Sequence, residues 1–553
     1  MSVTRPLWVQ TLRGGLLWGG VAVFLAMVGM VKTFDARQIV SGWISLGMTL
    51  LVLTGLGAGY QAARHREQGR ERALLAVARG GLAGMAAGAL VGALVVVGSL
   101  VNLRAMFESA SPDLFVMLSL GRGLSGWYLP ILGGLGLGAL GAAASLLPGA
   151  VRRPLATGAA WVLGFGVFQE LLFVVLGGEG LRAALRDLLF SSDGVSPRGA
   201  VLISLIACGA SAAWRRYETT ARQWVARRPA GGARGLRLLA MAISLVALLL
   251  VPVVAGSFLA QVLVLVGIFA LLGLGLNIVV GLAGLLDLGY VAFFAIGAYT
   301  VGLLTSLGEH GVLHLSFWAA VPIALVVSML AGVVLGIPVL GIRGDYLAIV
   351  TLGFGEIIRL LVLSDFLRPW LGGSQGILNI PKPTIGSFEF SGPEQLFYLT
   401  LVGCAIIIFV ASRLRDSRLG RAWMAVREDE DVAQATGINL VNVKLLAFGL
   451  GAAFGGVSGA IFAVMIGSIF PHSFNFLISI NVLSLIIVGG MGSLPGVIVG
   501  SLVLVGLPEL LREFAEYRFL VYGAALVVMM QLRPEGLLPA AAVRRELRAA
   551  EEE

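Results

Sequence analysis

Few residues in this chain have the types and spacing that catalysis requires. The three lysines, Lys32, Lys382 and Lys444, do not follow a glycine-rich loop, so the sequence predicts no P-loop for ATP hydrolysis. His310 and His314 have the spacing of a two-histidine metal pair, but no third ligand is evident, and we predict no metal site. No convergent set of His, Asp, Glu or Ser marks a catalytic centre. The sequence therefore predicts a protein that is not an enzyme.

One charged pair is more informative than these residues. Glu356 and Arg359 lie within a single apolar run, at positions i and i+3, where they can pair on one helix. Ionisable side chains inside membrane spans usually face the interior of the helix bundle or a watery path. Two interpretations stay open: a structural ion pair, or a pair that lines a transport pathway.

Long apolar runs must position all of these residues. Of the 553 residues, 58% are hydrophobic and 12% are charged, against about 25% charged in soluble domains. The pattern predicts an all-α polytopic membrane protein of about 16 transmembrane helices, two of them at 155–177 and 285–306. One side of these spans, which includes both termini, holds more than twice as many Lys and Arg as the other. Both termini are therefore expected in the cytoplasm, and the net charge of +9 does not indicate nucleic-acid binding.

An arginine-rich linker divides the chain into two regions. Residues 1–214 form an N-terminal region of six predicted spans, and residues 215–236 form a basic cytoplasmic linker. Residues 237–540 hold about ten further spans, and a charged cytoplasmic tail follows at 541–553.

Residues 413–444 interrupt the second region with six Lys/Arg and five Asp/Glu. Because each charge costs about 3 kcal/mol at the membrane centre, the segment must lie in water or on another protein. The spacing predicts a first short helix whose apolar face holds Leu419, Trp423 and Val426, and Asp429 can cap a second. We interpret the segment as a cytoplasmic docking platform. The alternative is an ordinary solvated loop with a helix on the membrane surface.

Glycines recur at intervals of four in two of the late spans. These glycines are Gly451, Gly455, Gly459, Gly496 and Gly500. Faces of small residues let helices approach closely, so we expect helix packing here, with a role in a moving gate as the alternative. The run GGMGSLPG at 489–496 predicts a helix break at membrane depth.

Five runs in the second region follow the order found in one known family. They are NIVVGLAGLLDLGYVAFFAIGAYT, RGDYLAIVTLGFGEIIRLL, SRLGRAWMAVREDEDVAQATGINLVNVKLLAF, GGMGSLPGVIVG and RPEGLL. Residues 237–540 resemble the branched-chain amino acid ABC transporter permeases of the LivM type. The residues before 237 lie outside this resemblance and are expected to form an accessory scaffold.

The resemblance implies the permease of an ATP-driven, binding-protein-dependent importer in a bacterial or archaeal inner membrane. It also implies the partners: two ATP-binding cassette subunits that bind the ATP, a second LivH-like permease, an extracytoplasmic solute-binding protein and membrane lipid. No cofactor is expected in the chain itself. In such permeases the 413–444 segment would contact an ATPase, and Ala433, Ala435 and Gly437 match the small residues of the coupling loop.

Substrates are expected to be branched-chain or other hydrophobic amino acids. Urea or short amides are the alternative within the same superfamily. An ion-coupled secondary transporter or a membrane-embedded enzyme is a more distant alternative.

Overall fold

The computed structural model describes residues 7–64, 73–107, 109–177, 180–226, 230–342 and 344–510, together with some of residues 512–540. Most of these residues are helical, and the two small sheets are short antiparallel hairpins. The chain forms two compact units, Met1–Met241 and Ala242–Glu553. The predicted bounds of the functional regions stay predictions.

The first unit consists of helices with one hairpin, and a final helix continues across its boundary. Its elements are α1 (Leu7–Val28), α2 (Met30–Asp35), β1 (Gln38–Val40), β2 (Ile44–Ser45), α3 (Leu46–Arg64), α4 (Ala73–Leu100), α5 (Pro112–Leu118), α6 (Leu129–Leu146), α7 (Gly149–Val167), α8 (Gln169–Val175), α9 (Leu181–Leu189) and α10 (Pro197–Ala226). The helical stretch α11 (Ala230–Leu276) contains the boundary and is interrupted at Gly256, whose φ is +80°.

The second unit continues from α11 through a π-helical turn at Asn277–Leu282. Its further elements are α12 (Val291–Thr305), α13 (Phe317–Val339), α14 (Asp345–Leu363), α15 (Arg368–Leu371), β3 (Thr384–Ile385), β4 (Phe388–Glu389), α16 (Pro393–Asp416), α17 (Arg418–Glu428), α18 (Glu430–Ala435), α19 (Leu440–Ile466), α20 (Phe476–Gly489), α21 (Leu494–Ser501) and α22 (Leu507–Leu510).

Eleven helices within the described residues are long and apolar enough to cross a membrane, and Val291–Thr305 and Leu494–Leu510 are shorter apolar helices. The all-α polytopic class is therefore confirmed, whereas the count of 16 spans and the side of the termini stay predictions. Two predicted spans differ in detail. The 155–177 run is divided between α7 and α8, and the 285–306 run becomes helical only at Val291.

In the first unit, helices α4 and α6 meet through glycine. A Cβ added to Gly84 would lie 2.0 Å from the carbonyl oxygen of Gly134, and one added to Gly138 would lie 2.3 Å from the carbonyl oxygen of Gly80. Distances this short leave no room for a side chain, so the two backbones touch directly. Such contacts are favourable within a membrane because van der Waals packing drives helix association there.

In the second unit, α19 packs between α12 and α13 and is largely buried. Two buried hydroxyls connect helices that are far apart in sequence. The Tyr290 hydroxyl donates to the Gly451 carbonyl oxygen at 2.7 Å, and Ser458 Oγ donates to the Ile268 carbonyl oxygen at 2.8 Å. The core around α19 therefore combines close packing with polar contacts between helices.

Candidate functional site

The predicted polar segment contains two short helices, α17 and α18. Ser417 Oγ accepts the backbone N–H of Gly420 at 3.2 Å and caps the first helix. Asp429 Oδ1 accepts the backbone N–H groups of Asp431 and Val432 at 2.8 and 2.9 Å, so the predicted cap of the second helix is present. Gly437 follows with a φ of +90°, a left-handed conformation that glycine adopts readily after a helix.

The apolar face of α17 packs against its own unit. Trp423 is fully buried, and its Nε1 donates to the Val443 carbonyl oxygen on α19 at 2.8 Å. Val426 and Ala433 are also buried, and Leu419 packs half-buried against the same core. These residues therefore hold the two helices in place.

A charged contact ties α18 to α19. Lys444 Nζ lies 2.7 Å from Glu430 Oε1, and the two side chains are 4% and 19% exposed. Loss of one partner from such a pair would leave an uncompensated buried charge, which is strongly destabilising. The start of α18 is therefore fixed on the helix that runs through the core.

Arg427 connects α17 to two irregular stretches of the helix bundle. Its Nη1 donates to the Gly281 carbonyl oxygen at 2.6 Å, within the π-helical turn. In that turn, Asn277 Oδ1 accepts the backbone N–H of Gly492 at 2.9 Å. Gly492 lies in the break between α20 and α21, where sequence predicts a break. The guanidinium thus links α17 to the π-helical turn, and Asn277 links that turn to the second interruption.

The opposite side of the two helices is exposed. Asp429, Ala435 and Gly437 are exposed, and Val432 presents 61% of its side chain to the surroundings. The two helices therefore have a buried apolar side that packs on the core and an exposed side with small and acidic residues. They can receive a contact on one side and pass a displacement to the bundle through the other.

Comparison with known proteins identifies the second region. Residues 258–530 match the family described as branched-chain amino acid transport system / permease component. The LivM permease protein of the high-affinity branched-chain amino acid transport system of Salmonella typhimurium is 45% identical over 295 residues. That alignment covers 49% of this chain and 68% of the relative. The chain belongs to this permease family.

Two further relatives support the same assignment. The LivM protein of Escherichia coli K12 is 45% identical over 295 residues, again covering 49% of this chain and 68% of the relative. The LivH permease protein of Salmonella typhimurium is 25% identical over 289 residues, covering 49% of this chain and 91% of the relative. No solved structure matches the chain significantly. The family resemblance predicted from the sequence is thereby confirmed.

The spaced glycines of the permease lie at close helix contacts. A Cβ added to Gly459 would lie 2.1 Å from the Phe294 carbonyl oxygen, and one added to Gly451 would lie 2.5 Å from Val279 Cγ2. At Gly455 the added atom would lie 3.2 Å from a carbon of its neighbour on α12. These distances place the three glycines where α19 meets its neighbours, and the gating alternative stays a prediction.

The glycines after the helix break have the same environment. A Cβ added to Gly496 would lie 2.6 Å from the Gly489 carbonyl oxygen, and one added to Gly500 would lie 2.1 Å from the Leu485 carbonyl oxygen. Helices α20 and α21 therefore fold back on each other with their backbones in contact.

The predicted ion pair is formed on α14. Arg359 Nε donates to Glu356 Oε2 at 2.9 Å and to Oε1 at 3.1 Å.

Among the described residues, no group of three His, Cys, Asp or Glu side chains could hold a metal ion. His314 instead bonds through Nδ1 to the Ser306 carbonyl oxygen at 2.7 Å.

Sequence reasoning did not identify Arg427. Its acceptor lies 146 residues away, and the π-helical turn that presents that carbonyl has no signal in sequence periodicity. The available clue was a cation directly after Val426, the last residue of the apolar face of α17. Asp287 also becomes noteworthy only in the fold. It is fully buried, and its Oδ1 accepts the N–H of Gly289 at 2.9 Å, while Oδ2 has no partner within the described part.

Proposed function

We propose that this chain is the membrane permease subunit of an ATP-driven importer for branched-chain or other hydrophobic amino acids. Under this proposal, an extracytoplasmic solute-binding protein delivers the substrate to the permease. The relatives support the substrate class, because LivM and LivH are named as permease proteins of branched-chain amino acid transport. Since those names describe the relatives, the substrate of this chain remains part of the proposal.

The observation that carries the coupling role is the bond from Arg427 to the Gly281 carbonyl oxygen. It connects α17 to the π-helical turn, and the Asn277 bond connects that turn to the break at Gly492. One of the two ATP-binding cassette subunits would contact the exposed side, at Asp429, Ala435 and Gly437. Trp423, Val426 and Ala433 would act as anchors that transmit the movement.

The remaining partners follow from the same proposal. A second, LivH-like permease subunit completes the path, and the ATPase subunits bind and hydrolyse the ATP. The permease itself is no enzyme and needs no cofactor. It resides in a bacterial or archaeal inner membrane with about 16 spans and both termini in the cytoplasm, as the distribution of Lys and Arg favours. Residues 1–214 serve as an accessory region.

The mechanism we propose is alternating access. ATP closes the ATPase dimer, α17 and α18 follow that closure, and the displacement reaches the helix breaks through Arg427. Broken helices can rearrange at low cost because their backbone groups are already bonded outside regular helix geometry. The close glycine contacts of α19 let neighbouring helices slide without colliding side chains.

Uptake of radiolabelled leucine into vesicles tests this proposal. The vesicles contain the complete complex, and the ATP and the binding protein are supplied separately. ATP-dependent uptake that requires the binding protein is the expected result. Gly437→Trp should abolish uptake, because a bulky residue at a φ of +90° distorts the exposed turn. ATP-driven leucine uptake at the normal rate with Gly437→Trp would contradict the coupling assignment.

A further inference from the structure

The ion pair on α14 occupies an unusual place for a membrane helix. Arg359 and Glu356 are 32% and 43% exposed, although α14 is long and apolar enough to cross the membrane. Their neighbours Ile357 and Leu360 are apolar and 55% and 52% exposed. The pair therefore lies at the surface of its own unit, on a face that is otherwise apolar.

Lipid is a poor covering for this face. Each charge at the centre of a membrane helix costs about 3 kcal/mol, and such residues usually face a watery path or another protein. A pair that served only to hold α14 to its own unit would be expected to join two helices. Here both partners lie on the same helix, three residues apart, and their bonds hold no second element.

A narrow cavity lies beside the pair. Arg359 lines it together with Tyr299, Ile358, Val362 and Phe474. The Tyr299 hydroxyl is buried and has no hydrogen-bond partner among the described residues. A buried hydroxyl without a partner is costly, so its retention in an apolar wall points to a ligand that satisfies it. In this conformation the cavity has room for about one water molecule, so a larger ligand enters only when α14 moves.

The chemistry of these groups selects a zwitterion with an apolar side chain. A guanidinium has five N–H donors, and the Glu356 bonds use those on Nε and Nη2, so Nη1 remains for a second carboxylate. The Glu356 carboxylate suits an ammonium group, and the Tyr299 hydroxyl suits a carboxylate oxygen. The surrounding Ile, Val and Phe side chains suit an aliphatic side chain.

We propose that Arg359, Glu356 and Tyr299 bind the charged head of an aliphatic amino acid as it passes along α14. The α-carboxylate bonds to Arg359 and Tyr299, and the α-ammonium bonds to Glu356. The proposal rests on the proposed import function. It adds a site within the permease that discriminates amino acids from amides and sugars, which lack the paired charges.

Exchanging the two charged residues distinguishes a substrate-binding role of the pair from a purely structural role. In the double variant E356R/R359E, the two side chains can still pair on the helix, so a structural role would be restored. A binding role would stay lost, because the group that binds the α-carboxylate and the group that binds the α-ammonium have exchanged positions. The pair Asp365–Arg368 has the same spacing and is largely exposed beyond the end of α14, so D365N/R368Q is the matched control.

The experiment measures leucine uptake by the complete importer in vesicles, and the ATPase rate stimulated by the leucine-loaded binding protein. In R359Q and in the exchange variant, the maximal uptake rate should fall at least about tenfold, the effect of one lost charged hydrogen bond. The half-saturating leucine concentration and the stimulated ATPase rate should stay as in the wild type. D365N/R368Q should transport normally.

Y299F keeps the proposal testable if the charge variants assemble poorly. It removes only a hydroxyl that lacks a partner, so the thermal stability should be unchanged or higher, while uptake should fall about threefold or more. Normal uptake by Y299F and R359Q, or restored uptake by E356R/R359E, would overturn the proposed site. A wild-type importer that takes up no leucine would instead overturn the import function on which the site rests.

Discussion

The two units of this chain solve the packing of membrane helices differently. The first unit relies on direct backbone contacts at glycine, as between Gly84 and Gly134, and its buried hydroxyls bond mostly within their own helix. Thr54 Oγ1, for example, donates to the Leu51 carbonyl oxygen three residues earlier. In the second unit, buried hydroxyls also bond between distant segments, as from Ser458 to Ile268. The first unit has long-range polar contacts as well, but that between Lys32 and Ser111 involves a lysine that is 43% exposed.

Under the proposed mechanism, this difference is one between a unit that packs and a unit that also responds to the ATPase. Close glycine contacts occur in both units, so they do not by themselves mark a moving part. A side chain that bonds to a carbonyl in irregular backbone can keep that bond in two different backbone conformations, as long as the carbonyl moves together with the side chain. Within that proposal, long-range polar bonds at irregular backbone are the better marker of the part that moves.

The largest effect is expected at Arg427, the link from α17 to the π-helical turn. Arg427→Ala should lower leucine uptake about tenfold or more, the equivalent of losing one hydrogen bond from a charged donor, about 1.5–3 kcal/mol. The ATPase subunits should still bind, but their stimulation by the loaded binding protein should be lost. Arg421→Ala, on the exposed side of the same helix, is the control. Equal losses in both variants would show that surface charge matters and the link does not.

Adding a methyl group to glycine compares the two units directly. Gly84→Ala and Gly459→Ala each place a Cβ about 2 Å from a backbone oxygen, and overpacking of this kind typically costs about 1–3 kcal/mol. Both variants should melt at a lower temperature. Only Gly459→Ala should also lower uptake per assembled complex.

The controls for this comparison are Gly136→Ala in the first unit and Gly353→Ala in the second, where an added Cβ meets nothing within 4 Å. Neither position is expected to show a steric effect on the melting temperature. An equal loss of uptake per complex in Gly84→Ala would mean that both units take part in the moving machinery.

A smaller effect is expected where α17 is anchored. Trp423→Phe removes the bond to the Val443 carbonyl oxygen and part of the buried volume, so stability should fall by about 1–3 kcal/mol. Thermal unfolding of the purified protein measures the change. The exposed Trp214 of the first unit, at 71% exposure, supplies the control Trp214→Phe, for which no shift is expected.

The smallest effect tests the two kinds of hydroxyl bond. Ser458→Ala breaks a bond between helices and should cost about 0.6 kcal/mol, the average for such bonds in membranes. Thr54→Val keeps its shape and removes only a bond within one helix, so its cost should be smaller. Matched thermal unfolding curves would decide the order, and the reverse order would remove the distinction drawn between the units.

Local features of the site were predictable from the sequence because their causes are local. The Asp429 cap depends on residues two and three positions ahead, and the turn at Gly437 depends on one glycine. Helical spacing also identified Trp423 and Val426 as one apolar face. Spacing cannot show what covers such a face, and here the covering is the chain's own core.

Features that depend on distant segments were not predictable. Hydropathy marked residues 285–306 as one apolar run, but it contains no information on where helix geometry begins, and α12 starts only at Val291. The partners of Arg427 and Asn277 are backbone groups, a carbonyl oxygen and an N–H, which almost any residue could supply. Their identity follows from the fold, since no residue type marks them.

The contact between Lys444 and Glu430 has a consequence for the efficiency of the proposed importer. The bridge holds the polar segment at the start of α18, and the Trp423–Val443 bond holds it seven residues earlier, on α17. Under the proposed mechanism, a displacement of the exposed turn at Gly437 therefore moves α17 and α18 as one rigid body. Because the segment deforms little, we expect ATP hydrolysis to be tightly coupled to transport. Hydrolysis of ATP without delivery of a substrate should therefore be rare.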